Sequence, residues 1–579
     1  MKEEELKDYI VCNVGYKKFG AYKKDVYLLT INSVYTSKGG FIRGWQMWQN
    51  GKMIMKGEFQ TDLKMYFKYL EETLKLKDYS DAKQDRIIVY IDDVDKIKGF
   101  FYSLVTEEFS PYSVLINHIE FRPYESWVRV KESSPEDLSR SMQLIVNNVF
   151  IPEKYFYLTP NQRSRKQLAK ICKEQKNNIA KNVFPESVDD YKTLREALYG
   201  GICYCPLPGV IKEKRILGLD ICSAYIYSML TQKYPISAPK KEDPTRWEFY
   251  SNNPFEGSLG IYKIRYSTAS NILHCFKEYI SDENGANLVS GTNVEVILTL
   301  DNVDLNIFLN LPKVYILEVE CLYLETYDLG PLPDYFKEFL IKEYLKKFNI
   351  DKQKNPVEYK LQKTVLNGLY GNTIKKLKLN NYDSLKKKAY LAPQWGVWTT
   401  SYTKKHLLDL ALQIEGWLYS DTDSIYCYDT YKNLSIIKNY NNQTRKIMEE
   451  FIEDYCFNTS DKDKEALLEL GYFEIENRIK KFKALKQKEY LYTTMDDKIV
   501  VKAAGCNKEE MPLNDSLYKL DQLPVGTKTF TFTYEDAIED DIDGEHYESP
   551  DGYYYESTIG GEAAKAVLEE IAKIKEGEN

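Results

Sequence analysis

One short stretch decides the fold: Tyr419-Ser420-Asp421-Thr422-Asp423-Ser424. Apolar and aromatic residues precede it at 416–418 and follow it at 425–428, a pattern that predicts a β-hairpin with carboxylates at its tip. On a regular strand Asp421 and Asp423 would point to the same face. Two carboxylates a few ångström apart repel by about 4 kcal/mol at an effective dielectric constant of about 20. The pair therefore indicates a divalent cation between them, or one carboxylate that is protonated or turned away. The alternative is an ordinary polar hairpin turn, because Asp, Thr and Ser are common turn residues.

A further carboxylate follows a second candidate strand. Residues 215–219 form a short run of a strand's length that ends in Asp220, and residues 222–230 have helical potential. A strand that ends in Asp and turns into a helix places the carboxylate at the sheet edge, beside open space. The alternative is an Asp at a helix N-terminus, where the cap and the helix dipole favour it.

The third candidate element is a helix that begins near Pro356. Asn355, Pro356 and Glu358 supply the N-cap, first-turn proline and third-position acid of a helix start. The polar positions step by 3, 4 and 3 and so share one face: Lys360, Lys363, Asn367 and Tyr370. The apolar stripe consists of Leu361, Val365 and Leu369, and Gly371 can end the helix. Ammonium groups beside an aromatic ring suit a nucleoside triphosphate; the alternative is an ordinary solvated face.

These segments resemble motifs A, B and C of family B DNA polymerases, in the family's order. The matching residues are Asp220-x-x-Ser223-x-Tyr225, Lys363-x-x-x-Asn367-x-x-Tyr370-Gly371 and Tyr419-x-Asp421-Thr422-Asp423-Ser424. Lys488-Glu489-Tyr490 resembles the Lys-x-Tyr motif that grips the primer strand, and Tyr199-Gly200-Gly201 resembles the template-binding Tyr-x-Gly-Gly loop. Spacing and length are most similar to the protein-primed branch found in small linear-genome phages and linear plasmids. The resemblance extends from about residue 180 to 510.

The resemblance implies an α+β fold, a right-hand polymerase with palm, fingers and thumb behind an N-terminal RNase H-like exonuclease-type domain. The expected divisions are an exonuclease-like domain at 1–158, a connector at 159–200, a first palm segment at 201–254, an insertion resembling terminal-protein region 1 at 255–330, fingers at 331–372, a shortened basic hairpin at 373–393, a second palm segment at 394–505, and a thumb with an acidic C-terminal region at 506–579. In this branch the hairpin supports processivity and strand displacement. Because the hairpin is short here, the sequence does not predict either property for this chain.

The resemblance also assigns roles to single residues. It implies two Mg²⁺ ions, with Mn²⁺ as a substitute, held by Asp220, Ile221 and Asp423. Asp421 is the third catalytic residue, less direct as a ligand. The incoming dNTP is bound by Ser223, Tyr225, Lys363, Asn367 and Tyr370, with Lys352 or Lys354 assisting. Primer and template are bound by Tyr199, Gly200, Gly201, Thr422, Lys488 and Tyr490.

The N-terminal region departs from the family pattern. Candidate strands lie at 26–32, 41–46 and 86–91, but residues 1–180 contain neither the Asp-x-Glu nor the Tyr-x-x-x-Asp of the exonuclease. Asn13 and Gly15 stand where the first acids are expected, and neither can replace a carboxylate around Mg²⁺. Asp92, Asp93 and Asp95 follow a strand and form either a metal site or a solvated turn. We therefore predict an exonuclease-like domain without exonuclease chemistry and assign it no exonuclease residues.

Composition limits the class of protein. The chain has 579 residues, 43% of them hydrophobic, so it can form several globular domains. No window of 18 apolar residues suggests a membrane span, and the charged N-terminus is unlike a signal peptide. The ten cysteines include no Cys-x-x-Cys pair and the four histidines are dispersed, which argues against a zinc or iron–sulfur module and favours a reducing compartment. We expect a monomer in the cytoplasm of a host cell.

The net charge of −8 is distributed unevenly. Residues 360–405 hold ten lysines and one acid, and residues 478–488 hold six cations and no acid. Residues 535–556 hold ten acids and no Lys or Arg. Basic stretches are often only solvated surface, but aromatic residues among these lysines and the flanking motifs favour a DNA groove.

The sequence therefore predicts a template-directed DNA polymerase that replicates a phage or mobile-element genome and lacks 3′–5′ exonuclease. Its expected partners are a DNA template-primer, dNTPs and, as in the protein-primed branch, a terminal protein. Two other interpretations stay open. One is a polymerase relative that performs untemplated or primer-independent synthesis in a defence or mobile-element role. The other is a non-catalytic DNA-binding scaffold.

Overall fold

The structure is a computed structural model, and it divides into two compact units. The first comprises Met1–Gln175, Glu338–Asn372 and Asp536–Asp551, and the second comprises Lys176–Lys337, Thr373–Glu535 and Gly552–Asn579. The residues that the structure describes are 27–36, 39–73, 87–91, 94–101, 107–110, 113–116, 119–123, 134–136, 138–140, 160–175, 178–205, 214–246, 256–268, 291–375, 377, 379, 382–455, 460–486, 488–503, 528–535 and 551–558.

The first unit contains a mixed seven-stranded sheet with order β3-β2-β1-β4-β7-β6-β5. Strand β4 pairs in parallel with β1 and β7, and the other pairs are antiparallel. Its strands are β1 (Tyr27–Thr36), β2 (Gly39–Gln49), β3 (Lys52–Gly57), β4 (Ile87–Ile91), β5 (Glu107–Ser110), β6 (Ser113–Ile116) and β7 (Ile119–Pro123). Its helices are α1 (Gln60–Thr73) and α2 (Val94–Phe101). The three strands expected at 26–32, 41–46 and 86–91 are confirmed, the first two longer than predicted.

Helix α1 shows why this sequence folds against the sheet. Leu63, Phe67 and Leu70 recur at helical spacing, are buried, and pack into the core that the strands form. Asp62 is only 5% exposed, and its Oδ2 accepts the Phe59 N–H at 3.1 Å and the Glu58 N–H at 3.4 Å. This carboxylate therefore satisfies backbone donors at the helix start.

Most of the residues that bear on the predicted loss of exonuclease chemistry lie outside the described residues. Asn13, Gly15, Asp92 and Asp93 all lie outside them. Asp95 lies within α2, and nothing is described of its side chain. The predicted loss of exonuclease chemistry therefore stays a prediction from the sequence.

The next segment is helical and leads into the first half of the second unit. The expected helical connector at 159–200 contains α3 (Pro160–Glu174), α4 (Ile179–Val183) and α5 (Val188–Glu196). Ser187 starts α5 with a capping box, in which its side chain and that of Asp190 each accept from the other residue's backbone N–H. The following elements are β8 (Ile202–Tyr204), β9 (Ile216–Ile221), α6 (Ala224–Thr231), β10 (Tyr234–Pro235), β11 (Lys240–Lys241), β12 (Ser258–Thr268), β13 (Gly291–Asp301), α7 (Asn302–Leu309), β14 (Val314–Thr326) and β15 (Leu329–Gly330).

Helix α8 (Asp334–Phe348) precedes the helix expected to begin near Pro356, which is present as α9 (Pro356–Thr373). The first four residues of α8 belong to the second unit and the rest of it to the first. Gln362 Nε2 donates to Glu343 Oε2 at 2.7 Å and to its carbonyl oxygen at 3.1 Å, which joins the two helices. Gly371 does not end α9: its φ is not positive, and the helix continues to Thr373.

The remaining elements complete the second unit. They are α10 (Tyr382–Lys388), α11 (Pro393–Ala411), β16 (Tyr419–Thr422), β17 (Ser424–Tyr428), α12 (Tyr431–Tyr455), α13 (Asp461–Leu468), β18 (Phe473–Lys486), β19 (Glu489–Thr494), β20 (Ile499–Ala503), β21 (Lys528–Glu535) and β22 (Asp551–Thr558). The stretch expected to be a shortened hairpin differs from that prediction, since its described portion contains helix α10. Tyr382 starts this helix, is buried beside Phe184 and Tyr191, and donates to the Pro185 carbonyl at 2.9 Å.

The second unit also has a seven-stranded sheet, here antiparallel throughout, with order β20-β19-β18-β9-β17-β16-β8. Leu217, Leu219 and Ile425 point to one face and join the core formed with α11 and a second sheet, β11-β14-β12-β13. Asp220 alternates with these apolar residues and therefore points to the opposite face.

A buried polar network joins helix α11 to α7. Asp301 caps α7 by accepting the backbone N–H groups of Val303 and Asp304, and Ser401 Oγ donates to it at 2.5 Å. Lys404 forms an ion pair with Asp304, and both side chains are 1% exposed. Burial, together with neighbouring Asp304, raises the pKa of the Asp301 carboxyl. Such a network holds the two helices in one arrangement because breaking it would leave a buried charge without its partner.

His406 anchors the other side of α11. Its Nε2 lies 2.8 Å from the Gly471 carbonyl oxygen and its Nδ1 lies 3.0 Å from the Tyr440 hydroxyl. The ring stacks on Phe473 at a centroid separation of 5.4 Å. Burial lowers the pKa of His406 to about 4, so the imidazole is neutral at pH 7.

Within the described portion of the chain, every helix is too short or too polar to span a membrane.

Candidate active site

Asp220 lies within strand β9, one residue before its end. Helix α6 begins only at Ala224, and its N-cap is Ser223, which has left-handed backbone angles of φ 50° and ψ 52°. Asp220 therefore does not cap the helix, and the alternative interpretation of this carboxylate is excluded. Tyr225 lies in the first turn of α6 and is half-buried.

The predicted hairpin is confirmed: β16 and β17 pair with Asp421 opposite Ser424, leaving Thr422 and Asp423 as the turn. Thr422 has a φ of 60°, which is unusual for a β-branched residue. The turn breaks the regular alternation of a strand, so the expectation that Asp421 and Asp423 share a face does not apply. The approach to the hairpin is also constrained: Gly416 has a φ of 66°, and a Cβ there would lie 2.0 Å from the Tyr428 ring.

Strand register sets the backbone separations between the three acids. Asp220 lies opposite Ser424, and Ser424 lies opposite Asp421. Because neighbouring strands are about 4.8 Å apart, the Asp220 and Asp421 backbones are roughly 10 Å apart. Asp423 is nearer to Asp220, because its carbonyl oxygen accepts the N–H of Ile221 at 2.9 Å. The fold therefore brings the backbone of Asp423 beside the end of the strand that carries Asp220, and it places Asp421 two strands away.

Asp421 has its own partners. Its Oδ1 accepts from Cys203 Sγ at 3.3 Å and from Thr422 Oγ1 at 3.1 Å. Burial raises the pKa of the Tyr419 hydroxyl, and the negative charge of Asp421 raises it further. Across the described residues, no cluster of three or more His, Cys, Asp or Glu side chains is arranged to hold a metal.

The Lys-x-Tyr element joins motif C through aromatic contacts. Lys488, with a φ of 60°, lies in the turn between β18 and β19, and its N–H donates to the Tyr419 hydroxyl at 2.7 Å. Tyr426 donates to the Tyr490 hydroxyl at 3.2 Å, and the rings of Tyr419 and Tyr490 are 4.8 Å apart. The Lys488 side chain is exposed, so its ammonium group lies in solvent beside the sheet that carries the carboxylates.

The glycine loop leads into β8, which pairs with β16 at the edge of the same sheet. Gly200 is exposed, whereas Gly201 contacts Thr422. Tyr199 points away from solvent: its ring packs against the core, with Lys404 Nζ 5.5 Å from the ring centroid.

The motif B residues lie on α9, in the first unit. Lys360, Lys363 and Asn367 are exposed, as predicted for the polar face. Tyr370 differs from that prediction, since it is only 8% exposed. Lys352 and Lys354 lie between α8 and α9, where Lys354 pairs with Asp351 at 3.6 Å.

A family model for DNA polymerase type B, organellar and viral, matches residues 153–457. The chain belongs to this family. It is a DNA-directed DNA polymerase, which favours the enzyme over the non-catalytic scaffold.

The polymerase fold agrees with solved structures. Phi29 DNA polymerase complexed with primer-template DNA, in a post-translocation binary complex, gives a TM-score of 0.57 at 15% identity and covers 92% of this chain and 100% of that chain. The phi29 ternary complex with primer-template DNA and incoming nucleotide gives 0.54 at 15% identity, covering 92% and 99%. The predicted right-hand polymerase fold is confirmed. No curated protein matches the sequence.

Three residues of this polymerase site escaped sequence reasoning. Glu474 on β18 lies opposite Asp220 and is exposed, Cys203 contacts Asp421, and Tyr419 accepts the Lys488 N–H. Glu474 and Cys203 become visible only through strand order, because β18 and β8 are far from motif C in sequence. Only Tyr419 carried a signal, since it opens the motif itself.

Proposed function

We propose that this DNA polymerase performs template-directed transfer of nucleotides from dNTPs to a primer hydroxyl, assisted by two Mg²⁺ ions, and lacks 3′–5′ exonuclease. The observation that carries the proposal is the hydrogen bond between the Ile221 N–H and the Asp423 carbonyl oxygen. It places the carboxylate-bearing tip of motif C beside the end of motif A.

DNA polymerases use divalent metal ions, and the residues present fit such an ion. Mg²⁺ in polymerase sites takes one or two carboxylates and completes its coordination with substrate phosphates and water. Asp220 and Asp423, with the Ile221 backbone between them, provide this oxygen donor set. Asp220 and Asp423 would hold the ions, whose charge would lower the pKa of the primer hydroxyl and offset the charge of the triphosphate.

The chain's own groups bind and orient the substrates. The exposed ammonium of Lys363 binds the β- and γ-phosphates, with Lys352 or Lys354 assisting, and Asn367 and Ser223 contribute polar contacts to the nucleotide. Tyr225 packs against the sugar and excludes a 2′-hydroxyl, which selects dNTPs. The buried Tyr370 supports the nascent base pair.

Primer and template contacts come from the edges of the palm sheet. Lys488 and Tyr490 fix the primer end, and their turn is held by the Tyr419 hydroxyl. Gly200 and Gly201, following Tyr199, form the template loop, and Thr422 lies beside it. The phi29 polymerase structures hold primer-template DNA and incoming nucleotide, which supports the same two ligands for this chain.

The biological setting is proposed on the same grounds. A polymerase of this branch replicates a phage or mobile-element genome in the host cytoplasm and starts from a DNA or a protein primer. The insertion at 255–330, which includes β12, β13 and β14, is the segment proposed to contact a priming protein. The altered residues at 13 and 15 support the absence of exonuclease.

Primer extension tests the metal assignment. Asp423→Asn keeps the size of the side chain but removes its charge, so we expect incorporation to fall by at least about 1,000-fold with an unchanged circular dichroism spectrum. The matched control is Asp497→Asn, the same substitution on an exposed turn where Asp497 pairs with Lys480 at 2.7 Å. It should extend at the wild-type rate.

Reactions without template and without primer complete the experiment. A normal rate for Asp423→Asn would refute the metal assignment. Efficient synthesis by the wild-type protein without template would replace templated replication with the untemplated alternative.

A further inference from the structure

The two glycines of the template loop have different surroundings. A Cβ on Gly200 would meet no atom within 4 Å. A Cβ on Gly201 would lie 2.7 Å from Thr422 Cγ2 and 2.8 Å from Thr422 Cα. Gly200 therefore has room for a side chain, whereas Gly201 is packed directly against the turn of motif C.

We infer that Gly201 and Cys203, both on the β8 side of the sheet, are positioning residues for motif C, whereas Gly200 alone keeps the loop open to the template. The inference rests on the proposed function for the template loop, and it assigns to Gly201 a role in the chemical step rather than in DNA binding.

The contact at Gly201 bears on both motif C carboxylates. Thr422 lies between Asp421 and Asp423 and already holds a left-handed backbone, with a φ of 60°. A new Cβ would clash with its Cα, and rotation of a side chain cannot relieve a clash with backbone. The turn would have to move, and with it the Asp423 carbonyl that accepts the Ile221 N–H at 2.9 Å.

Cys203 lies two residues after Gly201 and acts on Asp421. It lies opposite Asp421 in the β8–β16 pairing, and its Sγ lies 3.3 Å from Asp421 Oδ1. The thiol donates to the carboxylate and fixes the oxygen that Thr422 also contacts. A donor at this position therefore sets the orientation of Asp421 from outside the hairpin.

A third contact fixes β8 to the start of β16. The rings of Tyr204 and Trp417 stack at a centroid separation of 4.0 Å, and Trp417 Nε1 donates to Ser420 Oγ at 2.8 Å. Strand β8 is thus held to motif C at three places. Its position relative to the carboxylates is therefore set by packing within the protein.

The matched variants Gly200→Ala and Gly201→Ala test the inference in the full-length protein. Primer-template Kd is measured by fluorescence anisotropy, and kcat and KM for dNTP are measured at saturating primer-template. We expect Gly201→Ala to lower kcat by about 100-fold, the scale of a 1 Å misplacement of reacting groups, with Kd within about twofold of wild type. Gly200→Ala should instead weaken Kd, with the loss in extension recovered at higher DNA concentration.

Variants at Cys203 keep the inference testable if Gly201→Ala does not fold. Cys203→Ala removes the donor and should lower kcat about tenfold, as expected for a lost hydrogen bond to a charged group. Cys203→Ser retains a donor and should recover most of the rate. Equal rates for both variants, or a Gly201→Ala defect confined to Kd, would overturn the inference.

The wild-type protein separates this inference from the proposed function. If wild type does not extend a templated primer, the proposed function fails, whatever the glycine variants do. If wild type extends normally and Gly201→Ala matches it in kcat, only the positioning role fails.

Discussion

The two units of this chain, each built on a seven-stranded sheet, use acidic residues in opposite ways. In the first unit, Asp62 is buried and accepts two backbone N–H groups at the start of α1. In the second unit, Asp220 and Asp421 lie two strands apart in one sheet and Asp423 lies at the turn between β16 and β17, so strand pairing places all three at one end of these strands. Both units have a sheet of seven strands. The difference in the role of their acids therefore comes from where strand register and turns place the carboxylates.

The largest expected contrast between the sheets is in nuclease activity. Wild-type protein with Mg²⁺ and labelled single-stranded DNA should show no detectable 3′ shortening, while the same preparation extends a primer. The reason is that neutral residues stand at positions 13 and 15, and Mg²⁺ requires carboxylate oxygens there.

Asp423→Asn is the control for that measurement, because it removes the reverse of polymerisation as a source of shortening. Robust trimming that persists in Asp423→Asn would place an active nuclease outside the palm. The prediction that this protein lacks 3′–5′ exonuclease would then be wrong.

The next largest effect concerns stability of the palm. Lys404→Met leaves Asp304 buried without its cation, so the free energy of unfolding should fall by about 3–5 kcal/mol. Chemical denaturation measures the loss. The double variant Lys404→Met, Asp304→Leu should recover much of it, since an apolar pair leaves no buried charge. A single variant as stable as wild type would show that the pair does not hold α11 to α7.

The third prediction concerns acid stability. His406 has a pKa lowered by burial to about 4 in the folded protein, against 6.5 for a solvent-exposed imidazole. Below pH 6.5 the unfolded chain takes up a proton that the folded chain does not. The stabilising contribution is therefore complete above pH 6.5 and is lost as the pH falls towards 4, by about 3 kcal/mol in all.

The pH dependence of the unfolding free energy, measured for wild type and His406→Phe, isolates this contribution. Carboxylates titrate in both proteins, so only the difference in slope between pH 6.5 and 4 is diagnostic. Equal slopes would mean that the imidazole is accessible to protons in the fold.

The smallest expected effect is at Asp62. Asp62→Ala removes the acceptor for two backbone donors and should lower the unfolding free energy by about 1 kcal/mol. Asp62→Asn retains an acceptor oxygen and should cost only a few tenths of that. Neither should change primer extension, and a loss of extension in Asp62→Ala would break the division of roles between the two sheets.

Local sequence patterns predict much of the palm and helix α9. The motif C hairpin, the strand that carries Asp220, and helix α9 can all be predicted, because each depends on residues a few positions apart. The distinction between Asp421 and Asp423 is less accessible. It follows from strand order, which places Asp421 two strands from Asp220 and the Asp423 carbonyl on Ile221.

The predictions that differ from the structure depend on packing between distant segments. Gly371 could end a helix by its own propensity, yet α9 continues to Thr373. Tyr370 shares a helical periodicity with Lys363 and Asn367 but is buried. The stretch at 373–393 contains helix α10, whose Tyr382 packs on Phe184 and Tyr191, nearly two hundred positions earlier in the chain.

Gly416 is a position where substitution should inactivate this enzyme without changing any of its acidic residues. Any side chain there would meet the Tyr428 ring, because its Cβ would lie 2.0 Å from that ring. Random mutagenesis should therefore recover inactive clones at position 416 in which every acid is intact. A survey that scores variants only by their acidic residues would classify those clones as functional and would be mistaken.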